Sequence, residues 1–292
     1  MVFQNAKMAS SARSSSTPPC TLSVRLALPI ATHLRALGAA SVLAEFGLDQ
    51  VSFENPDARM EHATWVDLLA RGAEVTGDRD FGLHAAERCE PTLQDLIMLL
   101  ASSQATIRDA YFRGMRYVRV AHEGLAVDLS MKDGVASCVF ACRPGLAHPP
   151  ILSEYVLAMW IVLGEQILGP EGQRREIQFR HPRPADTAEH ERIFRSPVHF
   201  GRPTDAIVFP AATLDEMLVT ANPYLSGILE KEVRRIAENI PEELTLIPRA
   251  RAWLTRELAA GNAAIEGLAE HLRMSPRTLR RRLGDEGTTY KQ

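Results

Sequence analysis

The chain has 292 residues, of which 46% are hydrophobic and 24% are charged, and its formal net charge is −3 at pH 7. This composition is typical of a globular protein of one to three domains, and it argues against fibrous and disordered chains. The longest apolar run, Val156 to Leu163, is too short to cross a bilayer, so we expect no membrane partner.

Residues 1–21 are rich in Ser, Ala and Thr and contain no apolar stretch. They therefore do not have the pattern of a secretory signal, and we expect a disordered tail on a cytoplasmic protein. The four cysteines are irregularly spaced and include no Cys-x-x-Cys pair. Free buried thiols are the expected state, rather than a disulfide or a metal site.

The first predicted elements in chain order are helices. Apolar residues recur at helical spacing in four successive stretches, which are Pro29–Phe46, Glu61–Val75, Leu93–Leu100 and Ile107–Val118. The period then changes to the alternation of a β-strand at Leu125–Leu129 and again at Val135–Phe140. Lys132-Asp133-Gly134 lies between the two runs, so we predict a β-hairpin.

The next stretch combines one apolar helix with short extended pieces. We predict helices at Glu154–Leu168, Thr187–Phe194 and Pro223–Glu238, and strands at Glu176–Phe179, Val198–Phe200 and Ile207–Phe209. Residues 22–240 therefore form an α+β domain of helices plus a small, mostly antiparallel sheet. Residues 241–248 are the predicted linker, and residues 249–292 form an all-α helix-turn-helix piece.

Charge is distributed unevenly along the chain. Ile247 to Gln292 contains nine basic and five acidic residues, a net charge of +4, which leaves −7 for the rest of the chain. An acidic body with a basic end is the pattern expected when only that end meets an anion such as nucleic acid. A basic end is also common on solvated surfaces, so this observation needs support from a motif.

The basic end carries the pattern of two short helices joined by a tight turn. The first helix presents apolar residues over two turns, at Ile265, Leu268, Ala269 and Leu272. Ser275 is suited to cap the second helix, because its hydroxyl can accept a hydrogen bond from a free first-turn amide, and Pro276 suits the first helical position. Such a unit places its second helix in the major groove of DNA.

A helical wheel separates the leucines of this second helix from its arginines. Leu279 and Leu283 share the inner face, whereas Arg281 and Arg277 point away from it. Arginine can bind guanine bidentately or pair with phosphate, so we assign Arg277 and Arg281 to base edges. The candidate DNA-binding residues are Ser275, Arg277, Thr278, Arg280, which suits either role, Arg281, and Arg282, which suits phosphate.

No catalytic motif occurs in the sequence: there is no Gly-x-Ser-x-Gly, His-Glu-x-x-His, phosphate-loop or Gly-x-Gly pattern. We therefore expect no catalytic residues, no metal and no cofactor. His181 and His199 lie beside predicted strands, where a structural role is more common than a ligand-binding one. The aromatic residues of the predicted sheet either form its core or line an apolar effector cavity, namely Phe179, Phe194, Phe200 and Phe209.

The helix-turn-helix residues resemble a known family. Leu268-Ala269 to Leu272, the segment Met274 to Leu283 and Glu286 to Tyr290 together resemble the first helix-turn-helix of AraC/XylS-type transcription regulators, over about 30 residues. More loosely, the body is similar to the arabinose-binding type of sensor domain found in such regulators. The stretches that carry this likeness are Asp80–Leu83, Phe179–His181, Phe194–Phe200 and Leu214–Pro223.

The resemblance implies a ligand-responsive bacterial regulator that binds double-stranded promoter DNA. It also implies a small-molecule effector of unknown identity, homodimerisation, and activation more often than repression, with RNA polymerase as a partner. The family's DNA-binding domain has two helix-turn-helix units, and this chain stops at Gln292, so we expect a C-terminally truncated domain.

Two alternatives stay open at this point. One is a sensor and dimerisation fragment with little sequence-specific DNA binding, and the other is a small-molecule enzyme with a basic tail.

Overall fold

The computed structural model describes residues 20–48, 50–55, 57–90, 96–168, 175–238, 250, 253–254, 264–272, 274–285 and 290. Its helices are α1 Leu28–Ala36, α2 Ser41–Glu45, α3 Gln50–Glu54, α4 His62–Thr76, α5 Phe81–Ala86, α6 Leu96–Ser102, α7 Ile107–Arg116, α8 Val118–Ala121, α9 Pro150–Leu168, α10 Ala188–Phe194, α11 Pro223–Glu238, α12 Ile265–His271 and α13 Pro276–Asp285. Its strands are β1 Thr21–Ser23, β2 Arg59–Glu61, β3 Leu125–Lys132, β4 Val135–Cys142, β5 Glu176–Gln178, β6 Val198–His199 and β7 Asp205–Pro210.

The strands form two sheets. β1 and β2 pair antiparallel near the N-terminal helices. The larger sheet has the order β3-β4-β7-β5-β6, and β5–β6 is its parallel pair. The prediction of an α+β body of helices and a small, mostly antiparallel sheet is therefore confirmed. Among the described helices, none is both long and apolar enough to span a membrane.

The predicted β-hairpin is present as β3 and β4. Lys132 pairs with Val135, so Asp133 and Gly134 alone form the loop. Both loop residues have positive φ, 52° and 78°, which is the conformation that a two-residue type I′ turn requires and that an Asp-Gly pair readily adopts. The turn chemistry visible in the sequence therefore fixes the register of this hairpin.

The stretch predicted as one helix over Pro29–Phe46 is two helices. The chain breaks at Gly38, whose φ is +70°. Ala39 N–H donates to the Leu34 carbonyl and Gly38 N–H donates to the Arg35 carbonyl, the hydrogen-bond pair that ends a helix at a left-handed glycine. The apolar period continues across the break because Val42 and Leu43 of α2 are also buried in the core. The sequence pattern therefore predicts one helix where the structure has two.

The predicted domain limits are only partly covered by the described residues. Cys20 is buried and Thr21 begins β1, so the folded body starts inside the predicted tail of residues 1–21. Thr21 N–H donates to the Glu123 carboxylate, which holds this end in place. Residues 1–19 and the predicted linker 241–248 lie outside the described residues.

Helix α9 is the centre of the body. It starts four residues before the predicted helix and is buried almost all round, at Leu152, Ser153, Glu154, Tyr155, Val156, Leu157, Ala158 and Met159. It packs against α4, α5 and α10 and against β7 of the larger sheet. A helix that is apolar on every side must be covered on every side. Both the neighbouring helices and the sheet are therefore needed to keep α9 out of water.

The contact between α5 and α9 depends on a glycine. A Cβ built on Gly82 would lie 2.7 Å from the backbone carbonyl oxygen of Ile151. Backbone atoms inside a helix cannot move aside as a flexible side chain can, so only glycine allows this approach. Gly164 on α9 offers a comparison, since a Cβ there would meet nothing within 4 Å.

We predict that Gly82→Ala lowers the free energy of unfolding by about 1–3 kcal/mol, because it overpacks the α5–α9 contact. Gly164→Ala is the matched control and should leave stability unchanged or raise it by up to about 1 kcal/mol, since alanine is the better helix former. Urea denaturation of the three proteins measures the difference. Equal midpoints for Gly82→Ala and the wild type would contradict this account.

Candidate functional site

The described part of the basic end is a pair of helices with its own small core. Leu268 and Ala269 of α12, Leu272 just after it, and Leu279 and Leu283 of α13 are all buried and pack together with Ala250 and Trp253. Trp253 also covers Gly267, where an added Cβ would lie 3.0 Å from its ring. The apolar spacing predicted from the sequence therefore corresponds to one shared interior between the two helices.

Ser275 starts α13 as a side-chain cap. Its Oγ accepts a hydrogen bond from the Thr278 amide at 3.1 Å, and its hydroxyl is 2.8 Å from the Thr278 hydroxyl. Pro276 occupies the first helical position. In the turn before the cap, Met274 N–H donates to the Ala269 carbonyl. The cap aligns the exposed first turn of α13, where free amides attract anions.

The structure places the six predicted DNA-binding residues on the side of α13 away from its leucines or along its flanks. Arg277, Arg280 and Arg281 are exposed, and Thr278 and Arg282 are half-buried. Within the described residues, neither Arg277 nor Arg280 forms an ion pair with a carboxylate. The side of α13 that faces solvent is therefore strongly positive and carries donors suited to phosphate or guanine.

A second candidate region lies inside the α+β body, where α4, the hairpin and α9 enclose a small cavity. Its walls are mainly apolar, with a polar corner formed by His148 before α9, Ser153 on α9 and Asp205 on β7. The apolar lining consists of Trp65, Leu125, Phe140, Cys142, Leu152, Val156 and Leu157. The free space at its centre holds about one water molecule. A larger molecule would have to move wall side chains apart.

The polar corner is organised around Asp205, which is 1% exposed. Its carboxylate accepts hydrogen bonds from the Ser153 hydroxyl at 2.9 Å and from the Arg180 backbone amide and Nε at 2.8 and 3.0 Å. His148 Nε2 is 3.0 Å from Ser153 Oγ and 3.6 Å from Asp205 Oδ2. Burial lowers the pKa of His148, so its ring is neutral and Arg180 balances the charge of Asp205.

This serine, histidine and aspartate do not form a catalytic triad. In a triad the histidine accepts the serine proton at one nitrogen and donates to the aspartate from the other. Here Ser153 donates directly to Asp205, and the same nitrogen of His148 faces both residues. The serine proton is held by the carboxylate, so the hydroxyl is not activated as a nucleophile.

Two buried histidines support the Trp65 wall of the cavity. His122 Nδ1 accepts from the Gly124 amide, and His62 Nδ1 and His122 Nε2 lie 3.0 Å apart. With His122 Nδ1 an acceptor, the proton is on Nε2 and is donated to His62 Nδ1, and His62 Nε2–H then donates to the Ala147 carbonyl at 2.7 Å. Burial lowers the pKa of His122 to about 3.

The other residues that the sequence analysis singled out have structural positions. Phe179 and Phe194 are fully buried in the main core, and Phe200 and Phe209 pack against it. The rings of Phe179 and Phe200 stack on each other, and the His181 ring contacts both. His199 lies on β6 beside Glu176. None of these residues lines the cavity described above, and the four phenylalanines lie in or against the main core.

The cavity residues were not predicted because they come from elements distant in sequence. Trp65 is on α4, Phe140 on β4 and Asp205 on β7, and no local pattern joins them. One signal was available: Ser153 and Glu154 are polar residues in an otherwise apolar helix, and a buried polar group needs a partner. Glu154 finds His190, whose Nε2 lies 3.0 Å from its carboxylate.

Comparison with known proteins identifies relatives over most of the chain. A family model described as the arabinose-binding domain of AraC transcription regulator, N-term, matches residues 37–218. The HTH-type transcriptional regulator VirS of Mycobacterium tuberculosis is 25% identical over 264 residues, which cover 86% of this chain and 77% of that protein. The ornithine utilization regulator of Pseudomonas aeruginosa is 22% identical over 240 residues, 82% of this chain and 70% of that protein.

Among solved structures, the transcriptional regulator CdpR from Pseudomonas aeruginosa aligns with a TM-score of 0.49 at 19% identity, covering 89% of this chain and 80% of that one. The family model describes transcription regulators, and both sequence relatives are transcription regulators. These matches confirm the family resemblance drawn from the sequence and the prediction of a regulator rather than an enzyme.

We predict that the His122 ring makes folding sensitive to acid. Because its folded-state pKa, about 3, lies below the ordinary value of about 6.5, the unfolded state binds more protons between these limits. The contribution of neutral His122 to the free energy of unfolding is therefore fully present above about pH 6.5. It is lost as the pH falls below that value, by about 1 kcal/mol per pH unit. His33 and His148, whose pKa values are also lowered by burial, act in the same direction.

Urea denaturation at several pH values between 7.5 and 4.5 measures this slope. His122→Asn keeps an acceptor where Nδ1 stands but cannot titrate, so its stability should fall less steeply with acid than that of the wild type. Parallel curves for the two proteins would show that His122 is not the group responsible.

Proposed function

Because this chain belongs to the AraC-type transcription regulators with an arabinose-binding N-terminal domain, we propose that it binds double-stranded promoter DNA through α13 and responds to a small-molecule effector in its α+β body. The observation that carries the DNA-binding part is the geometry of α13. Two leucines are buried against α12, and Arg277, Arg280 and Arg281 are exposed on the other side.

The proposed contacts divide by position on α13. Arg277 and Arg281 are one turn apart and exposed, so their guanidinium groups can reach base edges from a helix lying in the major groove. Arg280 and Arg282 lie to either side and suit phosphate contacts. Ser275 and Thr278 hold the start of the helix, where hydroxyls and free amides suit a backbone phosphate.

The effector site is proposed to be the cavity beside Trp65. Its apolar walls and single polar corner suit a small, mainly apolar molecule with one hydrogen-bonding group. His148 and Ser153 are the groups that such a molecule would meet. Because the free space is small, binding would require the walls to separate, and a ligand that favours the opened state shifts the protein toward it.

The response itself is proposed to be activation, with RNA polymerase as the eventual partner. The effector changes DNA binding only by as much as its affinity differs between the two states of the protein. No cofactor enters this proposal. The support for activation is the family resemblance, whereas the support for DNA binding includes the side chains of α13.

A homodimer is also proposed, on an apolar surface at the start of α11. Tyr224 is 81% exposed, and Val219 and Met217 just before the helix are 71% and 65% exposed. Leu225 and Ile228 extend the same surface. The opposite side of α11 is buried in the main core through Leu229, Val233 and Ala237. An apolar outer surface at the start of a helix whose inner side is already buried suits an interface.

We predict that Arg277→Ala/Arg281→Ala weakens binding to a promoter duplex at least about thirtyfold, since two base contacts of roughly 1–3 kcal/mol each are lost. The duplex is one that the wild-type chain selects from a random-sequence library, and fluorescence anisotropy measures its affinity. Arg234→Ala/Arg235→Ala is the matched control, because it removes the same charge from exposed positions on α11 and should bind like the wild type.

The wild-type affinity should also fall steeply with rising salt, because arginines displace condensed counterions from the duplex. Equal affinity in the Arg277/Arg281 variant and the wild type would overturn the assignment of the DNA-reading surface. Failure of the wild-type chain to enrich any duplex would favour the alternative of a sensor and dimerisation fragment.

We predict that Tyr224→Glu/Ile228→Glu converts a dimer into a monomer, because two charges would be buried without partners in the interface. Sedimentation velocity on both proteins measures their masses. Leu37→Glu/Val75→Glu is the control, since both residues are exposed apolar side chains on other elements, and it should remain dimeric. A monomeric wild type, or a dimeric Tyr224/Ile228 variant, would rule out this interface.

A further inference from the structure

Three metal-ligating side chains meet among the helices of the body, and none of them lines the cavity. They are His33 on α1, Asp78 just after α4, and His84 on α5. One ligand atom from each lies within 4.8 Å of the others. No ligand spacing in the sequence marks these residues, because positions 33, 78 and 84 belong to three separate elements.

His33 is buried without a hydrogen bond in the described structure. It is 5% exposed, and neither ring nitrogen has a hydrogen-bond partner. Its Nε2 is 3.6 Å from Asp78 Oδ2, too far for a normal hydrogen bond. A buried imidazole with both nitrogens unsatisfied is costly and needs an explanation. Its ring packs against Phe81 at a centroid distance of 5.2 Å, which fixes its direction.

His84 is held from both sides by carboxylates. Its Nδ1 is 2.7 Å from Asp78 Oδ2, and its Nε2 is 2.9 Å from Glu189 Oε2 on α10. Arg192 donates to the same Glu189 oxygen at 2.7 Å and so fixes that carboxylate. A histidine that donates one ring N–H to a carboxylate, while its other nitrogen faces further ligands, has the arrangement of metal-binding histidines.

We propose that His33 Nε2, Asp78 Oδ2 and His84 Nδ1 bind a divalent transition-metal ion of the Zn²⁺ class, with Glu189 positioning His84 from outside. Two imidazoles and a carboxylate are ligands that Zn²⁺, Co²⁺ and Ni²⁺ accept. Metal–ligand distances of about 2.0–2.1 Å in a tetrahedral site place ligand atoms about 3.4 Å apart. The separations from Asp78 Oδ2 to the two histidines, 3.6 and 2.7 Å, lie on either side of this value, and the ligand atoms of all three residues lie within 4.8 Å of one another. Small side-chain movements would therefore bring the three atoms to tetrahedral spacing.

Binding requires one proton to leave. His84 Nδ1 must carry a lone pair to bind the ion, so a proton on that nitrogen is released to solvent while the Nε2 proton remains in the hydrogen bond to Glu189. Asp78 binds as the carboxylate and supplies one negative charge. Arg88 and Arg192 are the nearby cations, and Arg192 is already paired with Glu87 and Glu189.

The proposed ion would join four elements of the body. It would tie α1, the end of α4 and α5 directly, and α10 through Glu189, which lies on the helix packed against β6. Three protein ligands leave a fourth position for water or another donor. The α+β body would therefore have a second ligand, a metal ion, whose binding residues are different from those of the effector cavity and of the DNA-binding surface.

The test is titration of the full chain, freed of metal with a chelator, by Zn²⁺ in competition with a fluorescent zinc indicator. We expect one equivalent to bind and to raise the melting temperature, and Co²⁺ to give the visible absorption of a tetrahedral complex. Asp78→Asn and His84→Gln should each abolish saturable binding at indicator concentrations. Glu189→Gln should weaken it by about tenfold to a hundredfold, as is usual for an outer hydrogen-bond partner.

His199→Gln is the matched control, because it removes a histidine that also faces a carboxylate, Glu176 at 3.4 Å, and it should bind Zn²⁺ like the wild type. Circular dichroism of each metal-free variant checks that it is folded. Absence of saturable binding by the folded wild type would overturn the proposal, as would undiminished binding by folded Asp78→Asn and His84→Gln.

Discussion

The burial of α9 is the constraint on which the body depends. Its side chains are buried over several consecutive positions, so no face of the helix can be left to solvent without exposing apolar area worth roughly 25 cal/mol per Å². The helices α4, α5 and α10 and the strand β7 of the larger sheet all pack against it. Gly82 sets how closely α5 can approach, because it leaves room for the Ile151 carbonyl.

The same burial determines the polar chemistry of the body. Ser153 and Glu154 are on α9 and cannot reach water, so each must find a partner inside. Ser153 finds Asp205 and His148, and Glu154 finds His190. The low-dielectric surroundings keep His148 and His122 neutral by lowering their pKa values. Titratable groups are thus used here to satisfy hydrogen bonds rather than to activate a nucleophile.

The described residues of the basic end form a separate small core. Four apolar side chains of α12 and α13, together with Leu272 between the two helices, pack with Trp253 and Ala250, so the direction of the arginines on α13 follows from contacts within this unit. The proposed effector cavity and the proposed DNA-binding surface of α13 therefore consist of different sets of side chains.

The sequence by itself determined the helices and strands with strong periods, the Asp-Gly hairpin and the residues that α13 exposes, because each depends mainly on residues that are near one another in sequence. The break at Gly38 between α1 and α2 was not predicted, since both helices bury apolar residues in the same core and the apolar period runs through the break. Tertiary structure alone decided the cavity beside Trp65, the corner at Asp205 and the cluster of His33, Asp78 and His84. Each joins residues from elements far apart in sequence, and only the packing around α9 brings such elements together.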